Sequence, residues 1–223
     1  PHATAPGHAG NLIIGEIGGK NVIAMQGRIH LYEGNLPNLS TILIRVMKKL
    51  GVKDLIISCA TGGLNPRFRS GDIMLIEDHI NLTGISVLTG PNLSDFGPRF
   101  PVMFDVYNKQ LGQLAEEIAM ENNIYLQHGV LAGCAGPQYC TRAELKYFTL
   151  IGGDAVGMSG VQEVITAAHC GLRIVGFAAI TDMVLPYAEA HATEQEVIES
   201  GKLISVKFKQ LISTLIERID TCR

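Results

Sequence analysis

The chain has 223 residues, 47% of them hydrophobic and 17% charged, with 25 glycines and a formal net charge of -3. That is enough chain for one good core and too little for two, and such hydrophobicity excludes a disordered or coiled chain. No basic block accompanies the negative charge, so nucleic acid and anionic membrane surfaces find no footing, and the longest apolar run, residues 164–181, is broken by His169 and Arg173 before it could span a membrane. The five cysteines, Cys59, Cys134, Cys140, Cys170 and Cys222, are odd in number and lack C-x-x-C spacing. A disulfide framework and a zinc site are therefore not expected, and a reducing cytoplasm fits. The chain opens at Pro1-His2-Ala3 with neither initiator methionine nor signal peptide, which reads as a chain whose start is missing.

In chain order, Asn11–Ile17 and Lys20–Gln26 are apolar-rich runs split by Gly18-Gly19, a hairpin signal. Ser40 is positioned to cap a helix running to Leu50, with Gly51 as its stop. Residues 55–65 form the stretch on which the chain is organised: a continuous apolar run enters Cys59-Ala60-Thr61-Gly62-Gly63, as in a strand covered on both faces. Ligands of open α/β sheets sit beyond the carboxyl ends of such strands, and glycines there let main-chain N–H groups approach an anion or a base. Taken alone, this segment reads equally as an ordinary strand-to-loop turn. Residues 73–76 read as the next strand. Residues 81–101, rich in glycine and proline, read as a long loop of the kind that carries function or an interface. Helical spacing covers 102–122 through Leu111, Leu114 and Ile118. A strand over 129–134 ends in Ala135-Gly136-Pro137, and Thr141 caps the helix after it. A short strand, Ala155–Gly157, leads to Met158-Ser159 and a helix over 161–170. A buried strand over 173–181 reaches Asp182, and an amphipathic helix over 193–219 presents Val197, Leu203, Phe208, Leu211 and Leu215. Alternating strands and helices, with no repeat or linker, predict a single α/β domain over 1–223, a mixed central β-sheet flanked by helices.

The strand ends at 59–63, 135–141, 157–159 and 181–182 would converge on one cleft if their strands are neighbours. Arg28, His8 and His30 offer donors to an anion such as phosphate, Arg28 best of all through its planar fork; each also reads as an exposed or core side chain of no special role, as His2 and His128 do. Ser159 reads as an anion site at a helix start or as a plain cap, and Met158 as core packing or as a platform for a sugar. No G-x-x-x-x-G-K-[ST], G-x-G-x-x-G or G-x-S-x-G occurs, which removes nucleoside triphosphates, dinucleotides and the usual serine hydrolases.

Pro6-Gly7-His8-Ala9-Gly10, Gln26-Gly27-Arg28-Ile29-His30-Leu31-Tyr32-Glu33-Gly34, Ala60-Thr61-Gly62-Gly63-Leu64-Asn65-Pro66, Gly71-Asp72-Ile73-Met74-Leu75-Ile76, Phe96-Gly97-Pro98-Arg99-Phe100-Pro101 and Gly153-Asp154-Ala155-Val156-Gly157-Met158-Ser159 resemble, in order and over essentially the whole chain, the trimeric purine nucleoside phosphorylase family. The resemblance implies phosphorolysis of a purine nucleoside to free purine and ribose 1-phosphate, with phosphate as co-substrate and no cofactor or metal. It implies phosphate ligands at His8, Arg28, Ala60 (through its N–H) and Ser159, with His30 beside them in a catalytic role. Tyr32, Met158 and Glu194 would meet the ribose, joined by Phe100 from a neighbouring subunit of a homotrimer. Tyr139, Cys140, Val156, Gly157, Thr61, Gly62, Thr181 and Asp182 would meet the base, Asp182 also acting in catalysis. The family's N-terminal glycine-rich phosphate loop has no counterpart in this sequence.

The usual members acting on 6-oxopurines carry Asn at the place of Cys59, Glu at Cys140, Asn at Asp182, His at Glu194 and commonly Ala at Thr61, and four of these positions are expected to line the base pocket. Adenine presents an amino donor at N6 and an acceptor at N1, where hypoxanthine and guanine present an acceptor at O6 and a donor at N1. A Glu at position 140 would repel adenine's N1, whereas Cys140 is at most a weak donor towards it. An ionised Asp182 accepts from N6; to face O6, or to protonate N7, it must hold a proton, at about 1.4 kcal/mol per pKa unit raised. A phosphorylase of adenosine and deoxyadenosine is the expected reading. An enzyme for inosine and guanosine, one for 5′-methylthioadenosine, and a nucleoside-binding paralogue without turnover are its alternatives.

Overall fold

The computed structural model describes residues 3–5, 7–190 and 192–222, with Glu194 described in its backbone only. Strands β1 (Asn11–Ile17) and β2 (Lys20–Gln26) pair antiparallel as a separate ribbon. Ile17 pairs with Lys20, so the loop is the two-residue Gly18-Gly19, both glycines at positive φ (54° and 75°), as the expected hairpin requires. A short helix α1 (Pro37–Ser40) and helix α2 (Ile42–Lys49) follow. Ser40 is not the cap of a longer helix: Pro37 starts α1 a turn earlier, and the Ser40 hydroxyl donates to its carbonyl at 2.7 Å.

Strands β3 (Asp54–Gly63), β4 (Ile73–Asn81), β5 (Leu126–Gly133), β6 (Ala155–Gly157) and β7 (Arg173–Met183) close into a barrel in the order β3-β6-β5-β4-β7. The sheet is mixed as expected, with β3–β7, β4–β5 and β5–β6 parallel and the remaining pairs antiparallel. Three strands run longer than their apolar patterns. β4 continues to Asn81 because a register shift around Glu77 lets pairing with β5 resume beyond it. β5 begins at Leu126, and β7 extends to Met183 through a second shift.

Helices α3 (Lys109–Glu121), α4 (Arg142–Leu150), α5 (Val161–His169) and α6 (Glu194–Arg218) flank the barrel. α3 starts later than its spacing suggests because the Asn108 side chain caps it, accepting from Leu111 N at 3.0 Å; residues 102–108 before it are irregular, with a turn at Phe104-Asp105. α5 and α2 cover one side, burying Ile44, Val161, Val164 and Ala167 with Leu55, Ile57 and Ile174. α3 and α6 cover another through Leu111, Ile118, Ile204, Leu211 and Leu215 against Phe177 and Val175. Leu203, expected on that apolar face, is 79% exposed, and its neighbour Ile204 takes the core position. A third cluster of Leu64, Ala132, Leu145, Phe148, Val156 and Val184 lies at the strand ends.

Candidate active site

Two cavities meet at the carboxyl ends of β3, β6 and β7. The larger, about 540 Å³, is bounded on its polar side by His8, Arg28, His30, Ala60, Ser159 and Glu163. The smaller, about 200 Å³, is lined by Tyr32, Ala60, Thr61, Gly62, Tyr139, Cys140, Val156, Gly157, Met158, Thr181 and Asp182, among others. Ala60 and Ser159 belong to both walls. The side chains expected to meet an anion thus gather in one cavity and those expected to meet a base in the next.

The cationic wall is built locally after β2. Gly27 stands at φ 94°, and a Cβ there would lie 2.6 Å from His8 Cβ, so only glycine lets the His8 segment lie against the chain entering Arg28. His8 Nδ1 sits 3.2 Å from both the N–H and the carbonyl of Arg28, tying the ring to the main chain by that nitrogen. His8, His30 and Tyr32 stack in a column, with centroids 5.0 and 4.6 Å apart and planes within 17° and 13° of parallel. The column runs from the anion cavity into the smaller one, since His8 and His30 line the first and Tyr32 the second.

Sequence reading did not assign the two glutamates that hold this wall. Glu163 accepts from Arg28 Nη1 at 3.3 Å with one oxygen and from Gly160 N at 3.0 Å with the other, while Arg28 Nη2 donates to the Ser58 carbonyl. Glu33 accepts from His30 N at 2.9 Å, holds its Nδ1 at 2.9 Å, and accepts from Thr4 N at 2.9 Å. Burial pushes the His30 pKa down; the Glu33 bond opposes this, and the neighbouring His8 and Arg28 reinforce it, so the neutral ring is favoured. Burial would raise Glu33, but its bonds from His30 and Thr4 outweigh that and hold it below the usual carboxylate range. Both glutamates carried a local signal: each stands three residues after the group whose N–H it accepts, the spacing of a capping carboxylate.

Ser159 lies one residue before the cap of α5, which is Gly160 at φ 97°, so it borders the helix start and does not cap it. Cys59, expected in the base pocket, lines the anion cavity instead; its thiol is buried, donates weakly to the Phe177 carbonyl at 3.8 Å, and is pushed up to about 11 by burial. Of the five departures from the usual pattern, Thr61, Cys140 and Asp182 line the smaller cavity, and the side chain of Glu194 lies outside the described residues.

The smaller cavity depends on a bulge. Thr61 pairs with Ile180 but Gly62 pairs with Asp182, so Thr181 is an extra residue on β7. In a regular strand, adjacent side chains point to opposite faces; the bulge lets Thr181 and Asp182 face one cavity. The Thr181 hydroxyl is 3.2 Å from the Thr61 carbonyl and 3.4 Å from Asp182 Oδ1. Gly62 has no room for a side chain, since its Cβ would stand 2.6 Å from Val184. Cys140 donates to Cys134 Sγ at 3.9 Å, a neighbour that sequence reading had not singled out. Phe100 lies outside both cavities, 84% exposed on the long loop beside Val102 (78%) and Phe104 (86%). Among the described residues, no group of three or more His, Cys, Asp or Glu could hold a metal, and no helix is long and apolar enough to cross a membrane.

The family model of the Phosphorylase superfamily matches residues 1–217. The chain is 44% identical over 220 residues to purine nucleoside phosphorylase 1 of Bacillus subtilis, covering 99% of this chain and 81% of that protein. To the Bos taurus purine nucleoside phosphorylase it is 45% identical over 226 residues, covering 98% and 78%. Among solved structures, the Schistosoma mansoni purine nucleoside phosphorylase in complex with inosine superposes with a TM-score of 0.93 at 37% identity, covering 98% of this chain and 80% of that one. The complex of the Schistosoma mansoni enzyme with adenosine gives 0.91 at 37% identity, covering 95% and 78%.

Proposed function

The chain belongs to the Phosphorylase superfamily and, within it, to the purine nucleoside phosphorylases, and on that premise we propose that it cleaves 6-aminopurine nucleosides, adenosine and deoxyadenosine, with phosphate. A phosphate oxygen bonds to the anomeric carbon while the glycosidic C–N bond breaks, leaving its electron pair on the purine. Positive charge grows on the sugar and negative charge on the base, so catalysis needs an anion held below the sugar and a donor near N7. The observation that carries this reading is the shared wall of the two cavities at Ala60 and Ser159. An anion held by Arg28 and His8 in one then abuts a nucleoside in the other.

His8, Arg28, Ala60 N–H and Ser159 hold the phosphate. His30, fixed by Glu33, stacks between the phosphate wall and Tyr32 and orients nucleophile against sugar. Tyr32 and Met158 hold the ribose, with Glu194 at the start of α6 accepting from the 5′-hydroxyl. Tyr139, Val156, Gly157, Thr61, Gly62 and Thr181 pack the base. Asp182 accepts from N6 when ionised and, when protonated, serves N7. Cys140 leaves N1 unopposed. The exposed Phe100 completes a neighbouring subunit's ribose site in a homotrimer. All five cysteines are free thiols, which supports a reducing cytoplasm.

The purine nucleoside phosphorylases of Schistosoma mansoni include complexes with inosine and with adenosine, so substrate choice must be measured on this chain. Initial rates with adenosine and inosine, each with and without phosphate, test the reading in the parent and in Asp182→Asn. Adenosine is expected to lead in the parent, only with phosphate present, and the preference is expected to fall or invert in the variant. A parent that prefers inosine refutes the specificity, and cleavage independent of phosphate refutes the reaction.

A further inference from the structure

Two of the five thiols face each other in the wall of the smaller cavity. Cys140 Sγ donates to Cys134 Sγ at 3.9 Å, and both residues are half-buried and line that cavity. The remaining cysteines are placed differently. Cys59 and Cys170 are buried, and Cys222 is occupied at the far end of the chain by a bond to the Ile219 carbonyl at 3.2 Å. Cys134 is fixed where β5 ends, its N–H donating to the Gly157 carbonyl at 2.9 Å. Cys140 is fixed just before α4, whose cap Thr141 is held by Glu144 through its N–H at 2.7 Å and its hydroxyl at 3.0 Å. Between them Gly136 packs so closely on Met158 that a Cβ would lie 2.3 Å from its Sδ. The two sulfurs are therefore presented to one another by anchored backbone at both ends. Joining them requires a closure from 3.9 Å to the bonded distance of about 2.05 Å.

We propose that Cys134 and Cys140 form a reversible dithiol–disulfide pair, closed by small-molecule disulfides, whose closure removes the purine site. The hydrogen bond from Cys140 lowers the Cys134 pKa, favouring a thiolate there, while the same bond and burial push Cys140 up. Cys134 is therefore the attacking sulfur. Its thiolate displaces one half of a disulfide RSSR, forming a protein–SR mixed disulfide and releasing RS⁻, which takes up the proton Cys134 lost. Cys140 then loses its proton and attacks Cys134 Sγ. The mixed S–S bond breaks and the second RSH leaves. Two protein thiols are oxidised and one disulfide is reduced to two thiols. The product ties Cys140 Sγ to Cys134 in the cavity wall, so the thiol that the proposed base site sets opposite the purine N1 is no longer there. The inference thus rests on the proposed base site for its consequence, though not for the bond itself.

The full chain, first reduced, is exposed to glutathione disulfide and followed by intact mass, peptide mapping and calorimetric titration with adenine. The expected result is a loss of about 2 Da with a Cys134–Cys140 cross-link, adenine affinity at least about tenfold weaker when closure is complete, and full return with dithiothreitol. Cys134→Ser and Cys140→Ser alter the cavity themselves, so each is judged against its own reduced form: Cys134→Ser, which lacks the attacking sulfur, is expected to keep its adenine affinity under oxidant, and Cys140→Ser is expected to stop at a Cys134–glutathione mixed disulfide that dithiothreitol removes. Glutathione adducts that never resolve, an oxidant effect that survives in Cys134→Ser, or a closed disulfide with unchanged adenine affinity would each overturn the proposal. A reduced protein that binds adenine and carries out no phosphorolysis counts against the proposed reaction alone, because mass and titration still decide the switch.

Discussion

Replacing Arg28 with alanine separates the two tasks this side chain performs. In the structure its guanidinium spans the Glu163 carboxylate at 3.3 Å and the Ser58 carbonyl, and the pair is largely buried, with side-chain exposures of 18% and 9%. At an effective dielectric of about 20, charges 3.3 Å apart attract by about 5 kcal/mol before desolvation is charged against them. Removing the cation leaves Glu163 with its bond from Gly160 N and a stability loss of about 1–3 kcal/mol, toward the lower end because the arginine is partly solvated. Phosphate loses its main charged partner, an effect of about 2–5 kcal/mol, or about 30- to 5,000-fold in kcat/KM for phosphate. The assay is phosphorolysis against phosphate concentration, with a urea melt on the same sample. Adding Glu163→Gln should recover much of the stability and none of the phosphate dependence. If Arg28→Ala melts earlier but keeps its phosphate kcat/KM within a few-fold, Arg28 is a structural tie and the phosphate site lies elsewhere.

His30, His79 and His169 all have pKa values lowered by burial, so near and below 6.5 the unfolded chain binds protons that the native state refuses. Their stability contribution is complete above that value and lost as pH falls through the lowered native values; a urea midpoint that stays flat between about pH 5 and 7 would contradict it. Glu33, lowered below 4.5, adds a separate loss at more acidic pH. Light scattering is expected to give a trimer, with Phe100→Ala raising the nucleoside KM more than it changes kcat; a fully active monomer would rule this out. Glu194 is expected to favour adenosine over 5′-methylthioadenosine, whose 5′ sulfur carries no donor, and equal efficiency on the two would remove Glu194 from the ribose site.

The elements of the fold were legible where short-range chemistry decides them. Gly18-Gly19 forces the hairpin turn, Thr141 and Thr193 cap the helices they precede with Glu144 and Glu196 answering three residues on, and the alternation of strands and helices gave the mixed sheet. Reading failed where a longer-range contact outweighed the local pattern. The spacing of Leu111, Leu114 and Ile118 extended plausibly back to Val102, but Asn108 fixes the start of α3 through one side-chain bond. Leu203 matched the apolar stripe of α6 as well as Ile204 did; only the position of β7 decides which of the two is covered. Barrel closure was equally hidden, because it depends on β3 pairing with both β6 and β7, strands that lie far along the chain from it.

The site divides along the same line. Motifs brought His8, Arg28, His30 and Ser159 to one cavity and Cys140 and Asp182 to the next, since each lies at a strand or loop end that short-range pattern can locate. What fixes their chemistry is less local. Glu163 reaches Arg28 from 135 residues away, so the charge balance of the anion wall is a property of the fold. Asp182 faces the smaller cavity together with Thr181 because Thr181 is the extra residue of a bulge. Without the bulge the alternation of β7 would turn one of the two side chains away, and with Asp182 turned away the proposed choice between N6 and O6 would lose its acceptor. A carboxylate on the bulge and a thiol at position 140 are a matched pair in hydrogen-bond terms. The first supplies the acceptor that a 6-amino group needs, and the second withholds the negative charge that would repel an unprotonated N1. Specificity of this kind comes as much from the group left out as from the group put in, which is why exchanging Asp182 alone is expected to lower or invert the preference for adenosine, and why adding a carboxylate at position 140 is expected to carry it further towards inosine.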